Sequence, residues 1–508
     1  MRTVDAELLT ELTGLVGAAQ VSTEAGELAA HARDCWPRLM MRERAGEVLP
    51  RPAAVVWPTG TPGASALYAW ATRRGVAVVP FGGGGGVVGG AAPVEGGIAV
   101  DTKRLNRVLE LDEESGYVVV QPGVIGQNLE EWLGPRGYTL GHFPSSITLS
   151  SVGGFAAVRS AGQLSTKYGP FAVMVAGLEA VLPDGTVLRR RAQPASAAGP
   201  DLTGLLLGSE GTLGLITELT LRVHPKPEAM AFAGYRMPSF TSGLAVLRDL
   251  LRTGLRPAVL RLYDPTETQM NHADQVEAPP GRSLRDRHTR HSRESPPQAP
   301  AIHVSDGCLL VVVCEGWSDL VALEDRTVRA TVGAHGGEDL GEAPGRHWHT
   351  HRYDVSYRLA DLIKPGGVFG DAVAVDTFEV AAPWARLRAT YEAVRTALAA
   401  HSDLVLCHAS HAYPDGAALY FTFGAAGQGD EAAVAARYDA AWAGGLDAAV
   451  RSGATITHHH GVGLVRAPWL AEELGEGGMT LLRRVKAALD PAGIANPGKL
   501  GLGLGGTG

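Results

Sequence analysis

The chain has 508 residues, a net charge of −8 and a hydrophobic fraction of 45%. This length is too great for a single hydrophobic core, so we expect two or more domains. The negative charge argues against nucleic acid as the main partner, and no uninterrupted apolar run approaches the ~18 residues that a membrane-spanning helix requires.

Cysteine usage and the first residues indicate the compartment. The four cysteines, Cys35, Cys308, Cys314 and Cys407, show no paired spacing, which is typical of a reducing environment. Residues 1–20 have neither the basic region nor the apolar core of a signal peptide. We therefore expect a cytoplasmic protein, and we leave open a peripheral membrane contact and a homodimer.

The composition changes along the chain and predicts an α+β protein. Residues 1–47 have apolar side chains at helical spacing, and residues 48–227 alternate short strands with Gly and Pro turns. In residues 228–450, strands alternate with amphipathic helices, although residues 273–300 are rich in Pro, Arg, Asp and Ser and predict a disordered loop. Residues 451–508 form a C-terminal segment with motifs of its own.

The first motif is a glycine loop at residues 80–90, which follows the apolar strand predicted at residues 76–79. Glycine adopts positive φ angles and lets consecutive N–H groups converge on phosphate oxygens. The loop lacks the closing Lys-Ser/Thr of a Walker motif and the helix of a dinucleotide fingerprint. Taken alone, it is as consistent with a flexible linker as with a phosphate-binding loop.

Two more glycine-containing segments follow in the same predicted domain. Residues 141–154 combine hydroxyl side chains with paired glycines, and residues 208–214 read Gly-Ser-Glu-Gly-Thr-Leu-Gly before a predicted strand. Such clusters are commonly ordinary turns. They can also lie flat against a planar ligand and donate hydrogen bonds to it.

These three segments, together with residues 490–499, resemble the FAD-binding module of flavoproteins of the vanillyl-alcohol-oxidase and p-cresol-methylhydroxylase type. The resemblance implies an FAD-binding domain of two α/β subdomains over residues 48–227. It also implies a cap domain over residues 228–450, with an antiparallel sheet flanked by helices. The C-terminal segment, residues 451–508, would then return to the flavin.

The resemblance also implies which residues contact FAD. The glycine loop would hold the pyrophosphate, residues 144–154 would run along the flavin and its ribityl chain, and His142 would sit on the flavin face. Residues 210–214 would close over the adenine side, and Asn496 would lie near the isoalloxazine. No histidine stands in the glycine loop, so we expect FAD to be bound non-covalently. The implied contacts are Pro80, Gly82, Gly83, Gly84, Gly85, Gly86, Val87, His142, Pro144, Ser145, Ser146, Ser150, Ser151, Gly153, Gly154, Glu210, Gly211, Gly214, Ile216 and Asn496.

Three consecutive histidines, His458, His459 and His460, begin another motif. A surface turn would be the ordinary reading of such a run. The metal-dependent 2-hydroxyacid dehydrogenases of the same superfamily have a glutamate where this chain has His459, and a second metal-binding histidine where it has Tyr420. Because a site without that carboxylate and imidazole is poor for a hard cation, we predict no metal.

The chain instead resembles alkylglycerone-phosphate synthase (alkyldihydroxyacetonephosphate synthase). The resemblance rests on the histidine run, on residues 413–421, on residues 376–384 (Asp-Thr-Phe-Glu-Val-Ala-Ala-Pro-Trp) and on residues 467–470 (Ala-Pro-Trp-Leu). It implies an enzyme of ether lipid synthesis that exchanges the acyl group of acyl-dihydroxyacetone phosphate for a fatty alcohol, with atom N5 of FAD as the covalent handle. A small-molecule or lipid substrate is therefore expected.

The same resemblance implies roles for individual residues. Tyr420 would be the general acid/base, with its pKa lowered by nearby imidazoles or flavin, and His458, His459 and His460 would bind the phosphate and steer protons. Arg358 would contact the substrate phosphate. It is displaced by one position from the family pattern, which is about 100° around a helix.

Another departure from the synthase pattern leaves two other functions open. Ser145 stands where the synthase pattern has an aspartate, which removes a carboxylate from the site. One alternative is an FAD-linked oxidase or dehydrogenase of a 2-hydroxy acid or alcohol, in which the same residues take a hydroxyl proton. The other is a flavin-binding protein without catalysis.

Overall fold

The computed structural model describes residues 1–94, 96–273, 307–354, 372–427 and 429–502. Residues 274–300 of the predicted disordered loop and the predicted phosphate ligand Arg358 lie outside this part of the chain.

Short helices and strands form the first 225 residues. The helices are α1 (Ala6–Val16), α2 (Ala25–Ala30), α3 (Pro37–Arg44), α4 (Thr61–Arg74), α5 (Gly126–Leu133), α6 (Val152–Val158), α7 (Ser165–Tyr168), α8 (Phe171–Met174) and α9 (Leu202–Leu206). The strands are β1 (Val21–Ser22), β2 (Ala54–Val56), β3 (Val78–Phe81), β4 (Ile98–Asp101), β5 (Val108–Asp112), β6 (Tyr117–Val120), β7 (Tyr138–Thr139), β8 (Val175–Val181), β9 (Val187–Arg190), β10 (Leu215–Arg222) and β11 (His224–Pro225).

Longer elements form the remainder of the chain. The strands are β12 (Ala229–Met237), β13 (Val259–Tyr263), β14 (Cys308–Gly316), β15 (Glu338–Asp339), β16 (Val373–Pro383), β17 (Leu404–Ala412) and β18 (Gly416–Ala426). The helices are α10 (Phe240–Arg252), α11 (Pro265–Ala273), α12 (Ser318–Ala334), α13 (Ala343–His351), α14 (Trp384–Ala399), α15 (Glu431–Ser452) and α16 (Leu470–Leu489).

The first sheet has the strand order β1-β2-β4-β3, and its last three strands are parallel. Parallel neighbours need a crossover of a dozen or more residues, which is commonly a helix. Between β3 and β4 the crossover is instead the glycine loop, over residues 82–97. The loop therefore starts at the carboxyl end of a buried parallel strand.

The second sheet is antiparallel, in the order β5-β6-β10-β8-β9. The residues of β6 and β10 alternate between buried and half-buried, because one face packs against α5, α6 and α8 and the other is partly open. Of the two predicted α/β subdomains, the first therefore contains mainly parallel strands and the second an antiparallel sheet. The α+β prediction is confirmed.

A third sheet of the described residues has seven strands in the order β15-β12-β14-β13-β17-β18-β16, and every pairing in it is antiparallel. Phe378, Cys407 and Phe421 point to one face and pack against α10, α14 and α15. Because side chains alternate along a strand, the residue after Phe378 and the residues next to Cys407 and Phe421 point to the opposite face. That opposite face carries the polar side chains of the candidate site.

The C-terminal segment crosses back to the first sheet. Ala495 forms a parallel bridge with Val78 of β3, and Val78 exchanges backbone hydrogen bonds with the residues on either side of Ala495. Buried Lys486 donates to the carbonyl oxygens of Thr212 and Ala495 and to the carboxylate of Asp490. The chain thus returns, after the cap sheet, to the strand that precedes the glycine loop.

No helix in the described part of the chain is long and apolar enough to cross a membrane.

Candidate active site

Three neighbouring strands place three polar side chains in one row of the cap sheet. Glu379 on β16 pairs with Tyr420 on β18, and Tyr420 pairs with His408 on β17. The rings of Tyr420 and His408 stack with centroids 5.0 Å apart. Directly paired side chains on one face are the closest neighbours in an antiparallel sheet, so the register itself assembles an acid, a phenol and an imidazole.

A β-bulge adds His411 to this row. The register of β17 against β18 shifts between Ser410 and Ala412, and His411 between them has a φ of 51°. Positive φ is uncommon for a residue with a side chain, and bulges re-aim side chains beside active sites. Here the bulge brings Nδ1 of His411 to 2.7 Å from Oγ of Ser165, and it stacks the ring on His458 at 5.4 Å.

The histidine run wraps around the carboxylate of Glu379, which is fully buried. Glu379 accepts hydrogen bonds from the backbone N–H groups of His458 and His460, the latter at 3.0 Å, and from the hydroxyl of Thr457 at 2.8 Å. A single carboxylate therefore fixes the loop, and the three imidazoles lie around Tyr420. The ring centroids of His459 and His460 lie 5.9 and 5.5 Å from the ring centroid of Tyr420.

Arg466 is the counterion of this carboxylate. It is fully buried, its Nη2 lies 3.1 Å from Oε1 of Glu379, and its Nη1 donates to the carbonyl of Gly461 at 2.7 Å. Burial opposes ionisation of Glu379, but Arg466 and the N–H donors outweigh it and hold the pKa of Glu379 below its usual value. The carboxylate is therefore ionised in the neutral pH range.

The pKa of Tyr420 is raised, whereas the resemblance implied that it would be lowered. Burial raises the pKa of Tyr420 to about 12, with the nearby charge of Glu379 acting in the same direction. The expectation is therefore wrong for the protein without its ligands. At neutral pH the phenol keeps its proton and is a hydrogen-bond donor.

The histidines are neutral as well. Burial lowers the pKa of His458, holds the pKa values of His459 and His411 well below the usual value, and lowers the pKa of His460 to about 4. Neighbouring imidazoles add to the effect for His459 and His411. The expected contact of His458, His459 and His460 with the substrate phosphate stays a prediction. Neutral imidazoles are suited to accepting and passing protons.

Arg261 is the cation that faces the row from β13. Its Nη2 lies 3.3 Å from Nδ1 of His408, and its charge is close enough to affect the pKa values of Tyr420 and His411. Its buried Nε has no hydrogen-bond partner among the described residues. Glu267 accepts from the same imidazole of His408 at 3.0 Å.

The glycine loop packs against the segment that contains Ser150 and Ser151. A Cβ on Gly83 would overlap the carbonyl oxygen of Leu149, and a Cβ on Gly82 would lie 2.5 Å from Oγ of Ser151. Side chains are therefore excluded from this part of the loop by close approach of two backbones. The loop nevertheless keeps one open side, because residues 82–85 and Val87 are half-buried and Gly86 is exposed.

The hydroxyl segment is held by local hydrogen bonds. Ser150 donates to Ser146 at 2.8 Å, and Ser151 caps the N-terminus of α6 by accepting from the N–H of Gly154. Gly153 donates to the carbonyl of Pro122 at 2.7 Å, where a Cβ would collide with the proline ring. Before this segment, Pro144 is buried and Ser145 accepts from Nε2 of Gln163 at 3.1 Å.

The resemblance implied that the ring of His142 would lie on the flavin face. The ring is 1% exposed and packs between Phe155 and Phe171, with centroid distances of 4.6 and 5.0 Å. Its Nε2 is hydrogen-bonded to Ser160 at 2.9 Å, and burial lowers its pKa to about 3. The structure thus places His142 among core residues, with its Nδ1 buried and without a hydrogen-bond partner in the described residues, and its contact with FAD stays a prediction.

Glu210 joins the two halves of the site. It has a φ of 49°, and its carboxylate accepts from the N–H groups of Val462 at 2.6 Å and Gly463 at 2.8 Å. Burial raises the pKa of Glu210 to about 7. Its side chain is therefore engaged with the histidine-containing loop, and the expected position of residues 210–214 over the adenine side of FAD stays a prediction.

The remaining predicted contacts lie around the glycine loop. Asn496 has a φ of 37° and donates from Nδ2 to the carbonyls of Gly90 and Glu210, while its Oδ1 is buried without a partner in the described residues. Gly211 approaches Pro80 so closely that a Cβ would lie 2.6 Å from the proline ring. Gly214 and Ile216 are buried at the start of β10, where a Cβ on Gly214 would meet the carbonyl of Val181.

These features fit FAD. A glycine loop with an open side follows a parallel strand, which suits a diphosphate held by backbone N–H groups. The loop borders a cavity of about 590 Å³, whose wall includes Gly83, Gly84, Lys103 and Arg104 together with the carboxylates of Glu27, Asp34 and Asp101. The unpaired Oδ1 of Asn496 leaves an acceptor for a bound group. The individual contacts with FAD stay predictions.

Among the residues that the structure describes, no group of three or more His, Cys, Asp or Glu side chains is arranged to hold a metal ion.

Several residues of the site were not predicted from the sequence. Glu379 lies within the quoted segment 376–384, but only the strand register shows that its carboxylate reaches the histidine loop. Arg466 precedes the Ala-Pro-Trp-Leu segment and could have been noticed as a cation six residues after the histidines. His411 could not be predicted as a site residue, because the bulge that aims its side chain has no glycine to mark it in the sequence.

Comparison with known families supports the cofactor. Residues 52–191 match the family described as FAD binding domain, and residues 226–500 match the family described as FAD linked oxidases, C-terminal domain. FAD is therefore the cofactor that this chain is built to bind. Its non-covalent attachment stays a prediction.

Similar proteins point to two kinds of enzyme. The chain is 30% identical to alkyldihydroxyacetonephosphate synthase of Dictyostelium discoideum, over 91% of this chain and 75% of that protein. It is also 30% identical to the uncharacterized FAD-linked oxidoreductase YgcU of Escherichia coli O157:H7, over 97% of this chain and 98% of that protein. A solved alkyldihydroxyacetonephosphate synthase structure superimposes with a TM-score of 0.78 at 26% identity, covering 98% of this chain and 86% of that chain.

The close approach at Gly83 gives a test of cofactor binding. We expect Gly83→Ala to raise the dissociation constant for FAD by at least about tenfold, because the added Cβ forces the loop away from Leu149 and disturbs the converging N–H groups. Fluorescence titration of the apoprotein with FAD measures the change. Gly63→Ala, on α4 with no atom within 4 Å of the added Cβ, is the control and should bind FAD normally. Unchanged FAD binding by Gly83→Ala would contradict the assignment.

The pKa directions predict the pH dependence of activity. An imidazole whose pKa is lowered stays neutral until the pH falls below that lowered value, so a site that uses neutral His458, His459 and His460 should keep its activity as the pH falls through the ordinary histidine range. We expect the acid limb of kcat/KM to lie well below about 6.5. A pH profile of the FAD-loaded enzyme measures it, and an acid limb at or above that value would contradict neutral, buried imidazoles.

Proposed function

We propose, because this chain belongs to the family of FAD-linked oxidases that includes the alkyldihydroxyacetonephosphate synthases, that it exchanges the acyl group of an acyl-dihydroxyacetone phosphate for a fatty alcohol. The observation that carries the proposal is the position of Tyr420 between Glu379 and His408, with His459 and His460 against its ring. A protonated phenol beside neutral imidazoles forms an acid/base pair. Such a pair can work twice, once for each half of an exchange.

The protein residues divide the proton transfers between them. A neutral imidazole of the histidine run accepts the proton from the substrate carbon, and Tyr420 donates to the leaving fatty acid. In the second half the roles reverse as the alcohol adds and the carbon regains its proton. Each transfer needs a group of suitable protonation state at hydrogen-bond distance, and such groups typically contribute on the order of 10²–10⁴-fold to a rate.

FAD, when bound, would supply an electron-poor ring that stabilises charge at the reacting carbon. The protein would hold its diphosphate with the N–H groups of Gly82–Gly86 and would position the ring next to Tyr420. Because Glu210 and Asn496 connect the glycine loop to the histidine-containing loop, cofactor and acid/base groups are supported by one set of hydrogen bonds.

The substrate headgroup is proposed to be anionic. Arg261 supports this, since its guanidinium lies at the row of Tyr420 and His408 and its buried Nε is unpaired among the described residues. A bidentate guanidinium is well suited to phosphate and carboxylate groups. Arg358 lies outside the described residues, and we propose it as a second ligand of the phosphate. A peripheral membrane contact, expected for a fatty substrate, is likewise proposed.

An FAD-linked oxidase or dehydrogenase of a 2-hydroxy acid or alcohol is the second candidate. Two observations favour it: a relative described as an FAD-linked oxidoreductase matches nearly the whole chain, and the imidazoles are neutral acceptors that could take a hydroxyl proton. An anionic 2-hydroxy acid would also suit Arg261. The two candidates differ in whether electrons are transferred.

Labelled exchange under anaerobic conditions separates the two candidates. We expect the FAD-loaded protein to convert palmitoyl-dihydroxyacetone phosphate and labelled hexadecanol to the labelled ether, with release of palmitate and without lasting bleaching of the flavin. Persistent bleaching by lactate or glycolate, with no labelled ether, would contradict the synthase and support the oxidase.

Tyr420→Phe is the matched variant for this assay. It removes only the hydroxyl, so we expect FAD to stay bound while turnover falls by on the order of 10² or more, because the acid is lost. Tyr117→Phe, on a strand of the second sheet remote from the histidines, serves as the control. Turnover by Tyr420→Phe at the wild-type rate would remove Tyr420 from the mechanism.

A further inference from the structure

A hydrogen-bonded chain leads away from the histidine run. The hydroxyl of Tyr413 lies 3.0 Å from Nε2 of His458, and Nδ1 of His458 lies 2.9 Å from Nδ1 of His459. At its other end, the hydroxyl of Tyr413 lies 3.5 Å from Oγ of Ser165, which is itself 2.7 Å from Nδ1 of His411. This hydrogen-bonded chain thus joins residues from three separate parts of the sequence.

The chemistry of neutral imidazole restricts how this chain can be protonated. A neutral imidazole has one N–H donor and one acceptor nitrogen. Two facing Nδ1 atoms at 2.9 Å therefore share one proton, which belongs either to His458 or to His459. Each choice fixes every other proton along the chain. The hydrogen bonds of this chain can therefore all point in one direction or all in the other, and we call these two states its polarities. Passing from one to the other moves a proton from one end of the hydrogen-bonded chain to the other.

One of the two polarities places the shared proton on His459. Nδ1 of His459 lies 4.0 Å from the ionised carboxylate of Glu379, which also acts on the neighbouring His458 and His460. In this polarity Nδ1 of His459 donates to His458, and Nε2 of His458 donates to the oxygen of Tyr413. The second nitrogen of His459 is then a bare acceptor, which is the state that a base requires.

Other titratable groups also surround His459. His411 and His460 lie with their rings 4.9 and 4.4 Å away, and both have lowered pKa values because of burial. Tyr420 is protonated, since burial raises its pKa to about 12. Arg466 is ion-paired with Glu379. Of these groups, Glu379 is the one with a negative charge, and that charge acts on His458 and His460 as well.

Tyr413 lies where the chain approaches the surface. It is half-buried in the turn between β17 and β18, and the next two residues, Pro414 and Asp415, are exposed. Its backbone N–H donates to Gly416 at 2.8 Å and its carbonyl accepts from Nε1 of Trp384 at 3.2 Å, so the turn is fixed. The chain therefore leads from the buried histidines towards solvent.

We propose that Tyr413 is a positioning residue that relays protons through His458, so that His459 can act as a base and then as an acid. The proposal rests on the acid/base role of the histidines in the proposed function. When His459 accepts a proton at Nε2, its Nδ1 proton passes to Nδ1 of His458. The Nε2 proton of His458 then passes to Tyr413, and the hydroxyl proton of Tyr413 passes to a solvent water molecule. One proton thus enters at Nε2 of His459 and one leaves to solvent, so each protein group is neutral before and after, and the return step reverses each transfer.

Tyr413→Phe tests the relay, because it removes only the hydroxyl. With palmitoyl-dihydroxyacetone phosphate and hexadecanol as probes, we expect kcat to fall about 10- to 100-fold with KM unchanged and FAD still bound. The wild type should also show a curved dependence of kcat on the deuterium fraction of the solvent, since several protons move together, and the variant a linear one. Tyr413→His, which restores a donor and an acceptor, should regain part of the rate.

Tyr235→Phe is the matched control. Tyr235 lies on β12 of the same cap sheet, and its hydroxyl is buried without a hydrogen-bond partner among the described residues, so its loss should leave kcat unchanged. If kcat of Tyr413→Phe equals that of this control, the relay is wrong. Loss of FAD or a rise in KM in Tyr413→Phe would also overturn it, because the hydroxyl would then be structural.

A second readout does not depend on turnover. In FAD-loaded protein with ¹⁵N-labelled histidine, we expect the imidazole signals of His458 to show a neutral ring whose protonated nitrogen changes in Tyr413→Phe. Identical signals in both proteins would contradict the relay even if neither probe is a substrate. A wild type inactive with these probes, but with the expected change in signals, would count against the proposed function and support the hydrogen-bonded chain.

Discussion

The buried carboxylate of Glu379 is the constraint on which the rest of the site depends. It accepts two backbone N–H groups and a hydroxyl of the loop at residues 457–460, and it pairs with Arg466. A buried charge that lost these partners would cost several kcal/mol, roughly 3–5 for the removal of one partner of a buried pair. The loop therefore has one favoured conformation, and the imidazoles have fixed places around Tyr420.

A second set of hydrogen bonds joins the glycine loop to the loop that follows the histidines. Glu210 holds the loop that follows the histidines, and Asn496 holds both Glu210 and the glycine loop through their carbonyls. Both residues have positive φ angles, a conformation that costs a non-glycine residue about 1 kcal/mol or more and persists only when the surroundings enforce it. These hydrogen bonds hold the glycine loop and the histidine-containing loop in fixed positions relative to each other.

The sequence predicted the elements that local chemistry determines. The glycine run that contains Gly83, where close backbones leave no room for a side chain, could be read from the sequence. The alternation of helices and strands that predicts an α+β protein could be read from it as well. Contacts between distant segments were not visible, because they depend on strand register and burial. Glu379 reaches the histidines only through the pairing of β16 with β18, and the pKa of Tyr420 rises, against expectation, because its strand is buried. The burial of His142 among core side chains was likewise not visible in the sequence.

The most direct test is turnover and FAD content of Glu379→Gln, which keeps the shape of the side chain and removes its charge. If this charge orders the histidine loop, FAD remains bound at the glycine loop while exchange of palmitate for hexadecanol falls by on the order of 10² or more. Wild-type exchange by Glu379→Gln would show that the loop and its imidazoles need no buried carboxylate, and the account of the site would be wrong.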